Sequence, residues 1–204
     1  MNIPKDNEAT KIWKRLFEES GVDAKDVYIG SAADGYEKGM QGARIFAYDA
    51  EKNWWSRSGV PANMPIGEPG GPDSEVFYDF GLPHDTKFGK ECHPNCDCGR
   101  FMEIGNSVFM EYIKNADGSF GKLPQKNVDF GGGLERITAA SNGDPDIFKI
   151  DVLYTIIKKI EKLSLSAYES NKKSFRIIAD HLRAAAFLMA DGVVPSSNER
   201  GYVV

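Results

Sequence analysis

The chain has 204 residues, 41% of them hydrophobic and 27% charged, with a formal net charge of −5. This is ordinary globular composition, long enough to bury a core and to hold one large or two small domains. No apolar run approaches the roughly 20 residues a bilayer span needs, the start lacks the basic-then-apolar pattern of a secretory signal, and three cysteines make no disulfide framework, so a cytoplasmic protein is expected.

Residues 7–20 read as an amphipathic helix, with Asn7 as N-cap, Ala9, Ile12, Trp13, Leu16 and Phe17 at helical spacing, and Gly21 beyond the end. Trp13 and Phe17 are expected in the core. Short strands follow at Val27–Ile29 and Ala43–Tyr48, where glycine-rich spacing predicts hairpins rather than crossovers. Residues 49–74 form a long loop dense in Pro, Gly and Asn that carries the pair Trp54–Trp55. Loops of this length are usually functional or disordered, and the indoles either pack the loop on the core or wall a ligand. Ser74–Phe80 alternates as a strand with Glu75 and Asp79 on one face. These carboxylates are either solvated or a pair suited to Mg²⁺.

Pro83–Arg100 contains Cys92, His93, Cys96 and Cys98, with His84 nearby. The composition suits zinc, but the spacing C-H-x-x-C-x-C is poor for a tetrahedral site, which usually draws pairs of ligands from two separated places. The expectation is therefore no metal at Cys92, Cys96 and Cys98. Phe101–Ile113 is the strongest strand. Met102, Ile104, Asn106, Val108, Met110 and Tyr112 share one face, and Phe101, Glu103, Gly105, Ser107, Phe109 and Glu111 the other. Asn106 is the single amide in its row, so it pairs with neighbouring backbone or faces a small polar ligand. Asn115–Gly118 makes a hairpin turn.

Asn127–Ile137, NVDFGGGLERI, reads as strand, triple-glycine turn and helix start. Such a turn lets backbone approach a ligand closely, and a helix start attracts anions. With Asp129 before the turn and Arg136 after it, an ammonium and a polyphosphate could be held side by side. Alternatively, Glu135 and Arg136 are solvated charges on a plain strand–helix turn.

Past Asn142 the pattern turns helical, which places a boundary near Pro145 between residues 1–144 and 145–204, with Asp144-Pro145 as N-cap and first helical residue. Ile147, Ile150, Tyr154, Ile157 and Ile160 line the first helix. A polar connection spans Ser164–Lys173. A last helix over Ser174–Asp191 buries Phe175, Ile178, Leu182, Ala185 and Met189 and ends at Gly192. Arg176, Asp180 and Arg183 share a second face as a salt-bridged row, and His181 is expected to pack in the core. Residues 151–204 hold 8 Lys+Arg against 6 Asp+Glu, while the preceding 150 hold 17 against 24. The helical end is thus the better place for phosphate contacts, but the overall acidity gives no electrostatic argument for RNA.

GGGLERI resembles motif 3 of the class II aminoacyl-tRNA synthetases. With FMEIGNSVFMEY at 101–112, EPGGPDSEVFYDFG at 68–81 and IADHLRAAAFLMADGVVPSSNERGYV at 178–203, the chain resembles the alanyl-tRNA synthetases over nearly its whole length. The opening NIPKDNEATKIW resembles the segment just after motif 2, and GYVV stops partway through a family motif. The resemblance thus implies a fragment: the rear of the catalytic domain and the front of the tRNA-recognition helices, its partner being the remainder of the synthetase.

The resemblance further implies binding of alanine by Trp55, Asn106, Val108, Asp129 and Gly131, and of ATP by Gly131, Gly133 and Arg136, with Mg²⁺. It implies contact of Arg183 and Asn198 with the acceptor stem of tRNA(Ala). Asp129 would hold the α-ammonium and Arg136 the γ-phosphate. Gly105 replaces a family tryptophan, and Gly70-Gly71-Pro72-Asp73 stands where the family commonly has two cysteines. The implied reaction activates alanine as the adenylate and transfers it to tRNA. A non-catalytic RNA-binding or accessory module of the same fold, or a class II-like ligase for another amino acid, are the alternatives. The expected fold is α+β: part of an antiparallel class II sheet with flanking helices, then an all-helical segment.

Overall fold

The computed structural model describes residues 8–204. They divide into two compact units, one ending at Pro145 and one covering Asp146–Val204. The architecture is α+β, as the sequence predicts.

The first unit opens with α1 (Glu8–Glu19), closed by Gly21 at φ 70°; the expected cap Asn7 and the side chain of Ala9 lie outside the described residues. Trp13 is half-buried and its indole N–H donates to Ser74 Oγ at 3.1 Å. Strand β1 (Asp26–Gly30), helix α2 (Ala32–Lys38) and strand β2 (Ile45–Tyr48) follow. Here the predicted hairpin is replaced by a crossover, because β1 and β2 pair in parallel, Asp26 opposite Ile45 and Tyr28 opposite Ala47. The cause is local. Ser31 and Asp34 form a capping box, Ser31 Oγ accepting from the Asp34 N–H at 3.1 Å and the Asp34 carboxylate from the Ser31 N–H at 3.0 Å. That start signal turns the glycine-flanked segment into a short helix.

A four-stranded antiparallel sheet in the order β3-β4-β5-β6 forms the body of the unit. It comprises β3 (Trp54–Ser56), β4 (Pro69–Asp79), β5 (Phe101–Lys114) and β6 (Phe120–Gly132). The predicted loop over 49–74 therefore holds β3 and the first half of β4. Gly71 makes that pairing possible: a Cβ there would lie 1.7 Å from the Phe109 carbonyl oxygen. Trp54 is buried against Tyr112 and Phe120, with ring centroids 5.9 and 5.6 Å away. The β5–β6 turn is as predicted, with Gly118 at φ 81° and the Asn115 N–H donating to the Ser119 carbonyl at 2.8 Å. Helix α3 (Leu134–Asn142) starts at Gly133 and ends at Gly143 in the left-handed region, burying Ala139 and Ala140.

The second unit holds α4 (Asp151–Ser164) and α5 (Lys172–Ala190). The predicted cap at Asp144-Pro145 shifts: Asp146 caps a 3₁₀ turn at Ile147–Lys149, and α4 begins only at Asp151. Ile157, Tyr168, Phe175 and Ala179 form the core, with Phe148, Tyr154, Ile156 and Ile160 packed on it. The predicted stripe on α5 holds at Phe175, is half-buried at Ala185 and fails at Ile178, Leu182 and Met189, which are exposed. His181 is exposed as well and lies 3.3 Å from Asp180, contrary to the core expectation. Arg176 leaves the expected surface row and turns inward. Its guanidinium pairs with buried Asp146 at 2.9 Å and donates to Tyr168 Oη at 2.9 Å, while that hydroxyl donates to Asp146 at 2.9 Å. Gly192, at φ 85°, ends the helix as expected. None of the described helices is long and apolar enough to cross a membrane.

Candidate active site

Register on β4, β5 and β6 brings the predicted residues into two neighbouring rows. Val108 stands between Asp73 and Asp129, and Asn106 stands between Glu75 and Gly131. Cross-strand partners share a face, and so do residues two apart on one strand. Asp73, Glu75, Asn106, Val108, Asp129 and Gly131 therefore line a single face. Asp129 is exposed at its rim, Val108 is buried at its floor, and a Cβ on Gly131 would meet nothing within 4 Å. Backbone at Gly131 is thus open to a ligand.

The Asn106 side chain pairs with a carboxylate and not with backbone. Its amide N–H donates to Asp73 Oδ2 at 3.0 Å, whereas Asn106 Oδ1 and Asp73 Oδ1 are buried without a protein partner. Unpaired buried oxygens are costly and mark places where a cationic or N–H-bearing ligand fits. Burial pushes the Asp73 carboxyl up to about 6 and the Glu75 carboxyl up to about 7, the latter also through repulsion from Asp73 and Glu103. A face of carboxylates that ionise reluctantly gains from any cation brought among them.

Glu103 joins this face through a bulge. Val76 pairs with Gly105, but Phe77 pairs with Glu103, leaving Ile104 as an extra residue on β5. Strict alternation would put Glu103 on the far side with Gly105. The bulge turns it to the Asp73–Glu75 side. There its carboxylate binds Arg136, on the first turn of α3, at 2.9 Å, and its carbonyl accepts from the same guanidinium at 3.3 Å. The stem of Arg136 lies 3.3 Å from where a Cβ on Gly133 would sit, so that glycine lets the arginine fold back over the turn. Arg136 remains half exposed.

Other expectations land elsewhere. Glu75 and Asp79 do not act as a pair: Asp79 is held by Arg100 through two bonds of 2.8 and 2.7 Å, and the neighbours of Glu75 are Asp73 and Glu103. Period-two reading from Asp73 would have found the first of these, but nothing in the sequence announces the bulge that delivers the second. Trp55 is 42% exposed and pairs with Gly71, two residues before Asp73. In the second unit, Arg183 lies on α5 and exposed Asn198 stands just before a 3₁₀ turn at Glu199–Tyr202.

The family described as tRNA synthetases class II (A) matches residues 5–204. The chain belongs to that family. Among curated relatives, the alanine–tRNA ligase of Treponema denticola is 38% identical over 210 residues, covering 100% of this chain and 30% of the relative. Those of Petrotoga mobilis and Clostridioides difficile are 37% and 36% identical, covering 94% and 100% of this chain and 22% and 21% of theirs. The chain thus spans under a third of the length of these class II synthetases. Where the resemblance implies a tryptophan at Gly105, the present class II chain sets the ring of Phe130 3.1 Å from the position of the missing Cβ.

Proposed function

We propose that this chain supplies the alanine pocket and the γ-phosphate arginine of an alanine–tRNA ligase. The observation that carries the reading is the pair of rows Asp73–Val108–Asp129 and Glu75–Asn106–Gly131, with Arg136 joined to the same face through Glu103. Asp129, carboxylate at an exposed rim, takes the α-ammonium of the amino acid. Asn106, whose Oδ1 has no protein partner, orients it, and buried Val108 floors the face beside it. Trp55 closes the pocket from β3.

Arg136 takes the γ-phosphate of ATP, and the open backbone at Gly131 and the fold-back at Gly133 leave room for the nucleotide. Oxygen donors from Glu75 and Glu103 fit a hard divalent cation, so these residues would hold Mg²⁺, which neutralises phosphate charge when bound. The protein's part is chiefly placement: it holds the alanine carboxylate in line with the α-phosphorus and balances charge on the departing pyrophosphate. Arg183 and Asn198 are assigned to the tRNA acceptor stem on family resemblance. The acidic first unit adds no electrostatic support to an RNA contact there.

These 204 residues contain no segment resembling motif 2, which supplies the α-phosphate arginine, so the chain alone is expected to give no alanine-dependent ATP–pyrophosphate exchange. The test is a chimera in which residues 5–204 replace the matching stretch of the Treponema denticola alanine–tRNA ligase. Alanine-dependent exchange is expected, and Asp129→Ala should lower it by at least about 100-fold, the loss of one charge-paired contact to the substrate. Arg136→Ala should act mainly through ATP. A well-folded chimera without exchange would favour the non-catalytic module, and exchange driven by serine or glycine in preference to alanine would favour another amino acid.

A further inference from the structure

We propose that His84, Cys92, Cys96 and Cys98 form a tetrahedral zinc site that staples the segment between β4 and β5. The four ligand atoms lie within 4.8 Å of one another. Cys92 Sγ and Cys98 Sγ are 3.6 Å apart, and Cys96 Sγ and His84 Nδ1 are 3.9 Å apart. Zinc bonds of about 2.3 Å to sulfur and 2.0 Å to nitrogen place tetrahedral ligands roughly 3.5–3.8 Å from each other. Two of the six pairs already stand near that spacing, and the others need close by no more than about 1 Å.

The spacing H-x₇-C-x₃-C-x-C explains why sequence alone argues against a metal. Three thiols crowd into one turn, and the separated ligand is His84, not the adjacent His93. His93 is fully buried elsewhere: its Nδ1 meets Tyr48 Oη at 2.7 Å, and its ring lies edge-on to Tyr36 at 4.8 Å, over Gly35. There it pins the turn, which closes by the Cys96 N–H donating to the His93 carbonyl at 2.9 Å.

A second observation points to a ligand. The other ring nitrogen of His84, Nε2, is 2.9 Å from the Gly89 carbonyl oxygen. Donation to that carbonyl fixes the proton on Nε2 and leaves the Nδ1 lone pair aimed at the thiols. This is the outer hydrogen bond that metal-binding histidines habitually make. The segment also needs a fastener. Between β4 and β5 its regular structure is one 3₁₀ turn, Thr86–Phe88, yet Cys92, His93 and Cys96 are buried. It also meets α2, the Glu91 N–H donating to the Tyr36 carbonyl at 2.8 Å. Binding would release the thiol protons to solvent and leave three thiolates and one neutral imidazole around the ion.

The test uses the 204-residue chain purified under reducing conditions with zinc and then desalted. One zinc per chain is expected by mass spectrometry. Cobalt in its place should give the thiolate-to-metal charge-transfer band and the intense visible bands of a tetrahedral centre. Because the chain has three cysteines, all three should resist a thiol reagent until a chelator is added. Cys96→Ser and His84→Ala should lose stoichiometric metal, while His84→Cys should retain it. The wild-type cobalt spectrum and thiol protection decide the matter even if a variant does not fold. Substoichiometric zinc in the folded wild-type chain, an octahedral cobalt spectrum, thiols that react equally fast with and without zinc, or a Cys92–Cys98 disulfide in the reduced preparation would each overturn the site.

Discussion

Asp73 and Glu75 sit in the sheet with carboxyls raised to about 6 and 7, chiefly by burial and further by repulsion from Glu103 on both and from Asp73 on Glu75. A carboxyl whose folded value exceeds its unfolded value stabilises the fold below the unfolded value, near 4. That contribution is lost as pH rises through the folded value. Asp73→Asn keeps an oxygen to accept from the Asn106 amide and removes the buried charge. It should raise stability by roughly 1–3 kcal/mol at pH 8, with the gain vanishing below about pH 4, as followed by urea unfolding at both pH values. The same substitution should weaken cation binding on that face, which separates the two effects. At this scale Asn106, Val108 and Gly131 were readable, because their strand alternation is regular where they stand and the family motifs are contiguous. Asp73 was hidden in a stretch of Gly and Pro that reads as loop. Glu103 was assigned to the wrong face because a bulge leaves no mark in composition.

Elements show the same division. β5, β6 and α3 were legible from alternation, a hairpin turn and a glycine start. β1–α2–β2 was misread because four glycines outweighed the Ser31-x-x-Asp34 box, and α5 because its apolar residues outnumber the partners that its unit provides. To its apolar core the second unit adds the polar set Asp146, Tyr168 and Arg176, where an aspartate before α4 meets an arginine on α5 beside a buried hydroxyl. Tyr168→Phe leaves both charged partners short of one hydrogen bond and should cost about 1–3 kcal/mol. Thermal unfolding of the chain should show a lowered transition, with little change if the hydroxyl is dispensable. The sequence placed Arg176 on the surface because helical spacing reports on neighbours within one helix, not on a carboxylate thirty residues earlier in the chain.

Taken as a whole, the molecule ends its main sheet on β6, a 13-residue strand whose Val128 and Phe130 are each 65% exposed. Among the described residues no strand pairs with its outer side. Long, apolar sheet edges recruit other chains, so the 204-residue protein should self-associate with rising concentration. Val128→Lys should reduce that association in sedimentation velocity without unfolding the protein; equal association in both would exonerate the edge. The single extra residue at Ile104 has a wider consequence. It acts as a half-twist in a ribbon, so that one strand offers the Asn106 amide to Asp73 and, three positions earlier, the Glu103 acid to the Arg136 guanidinium on the same side. Losing one codon there would keep every charged group in the protein and still part Asn106 and Asp73 from the Glu103–Arg136 pair.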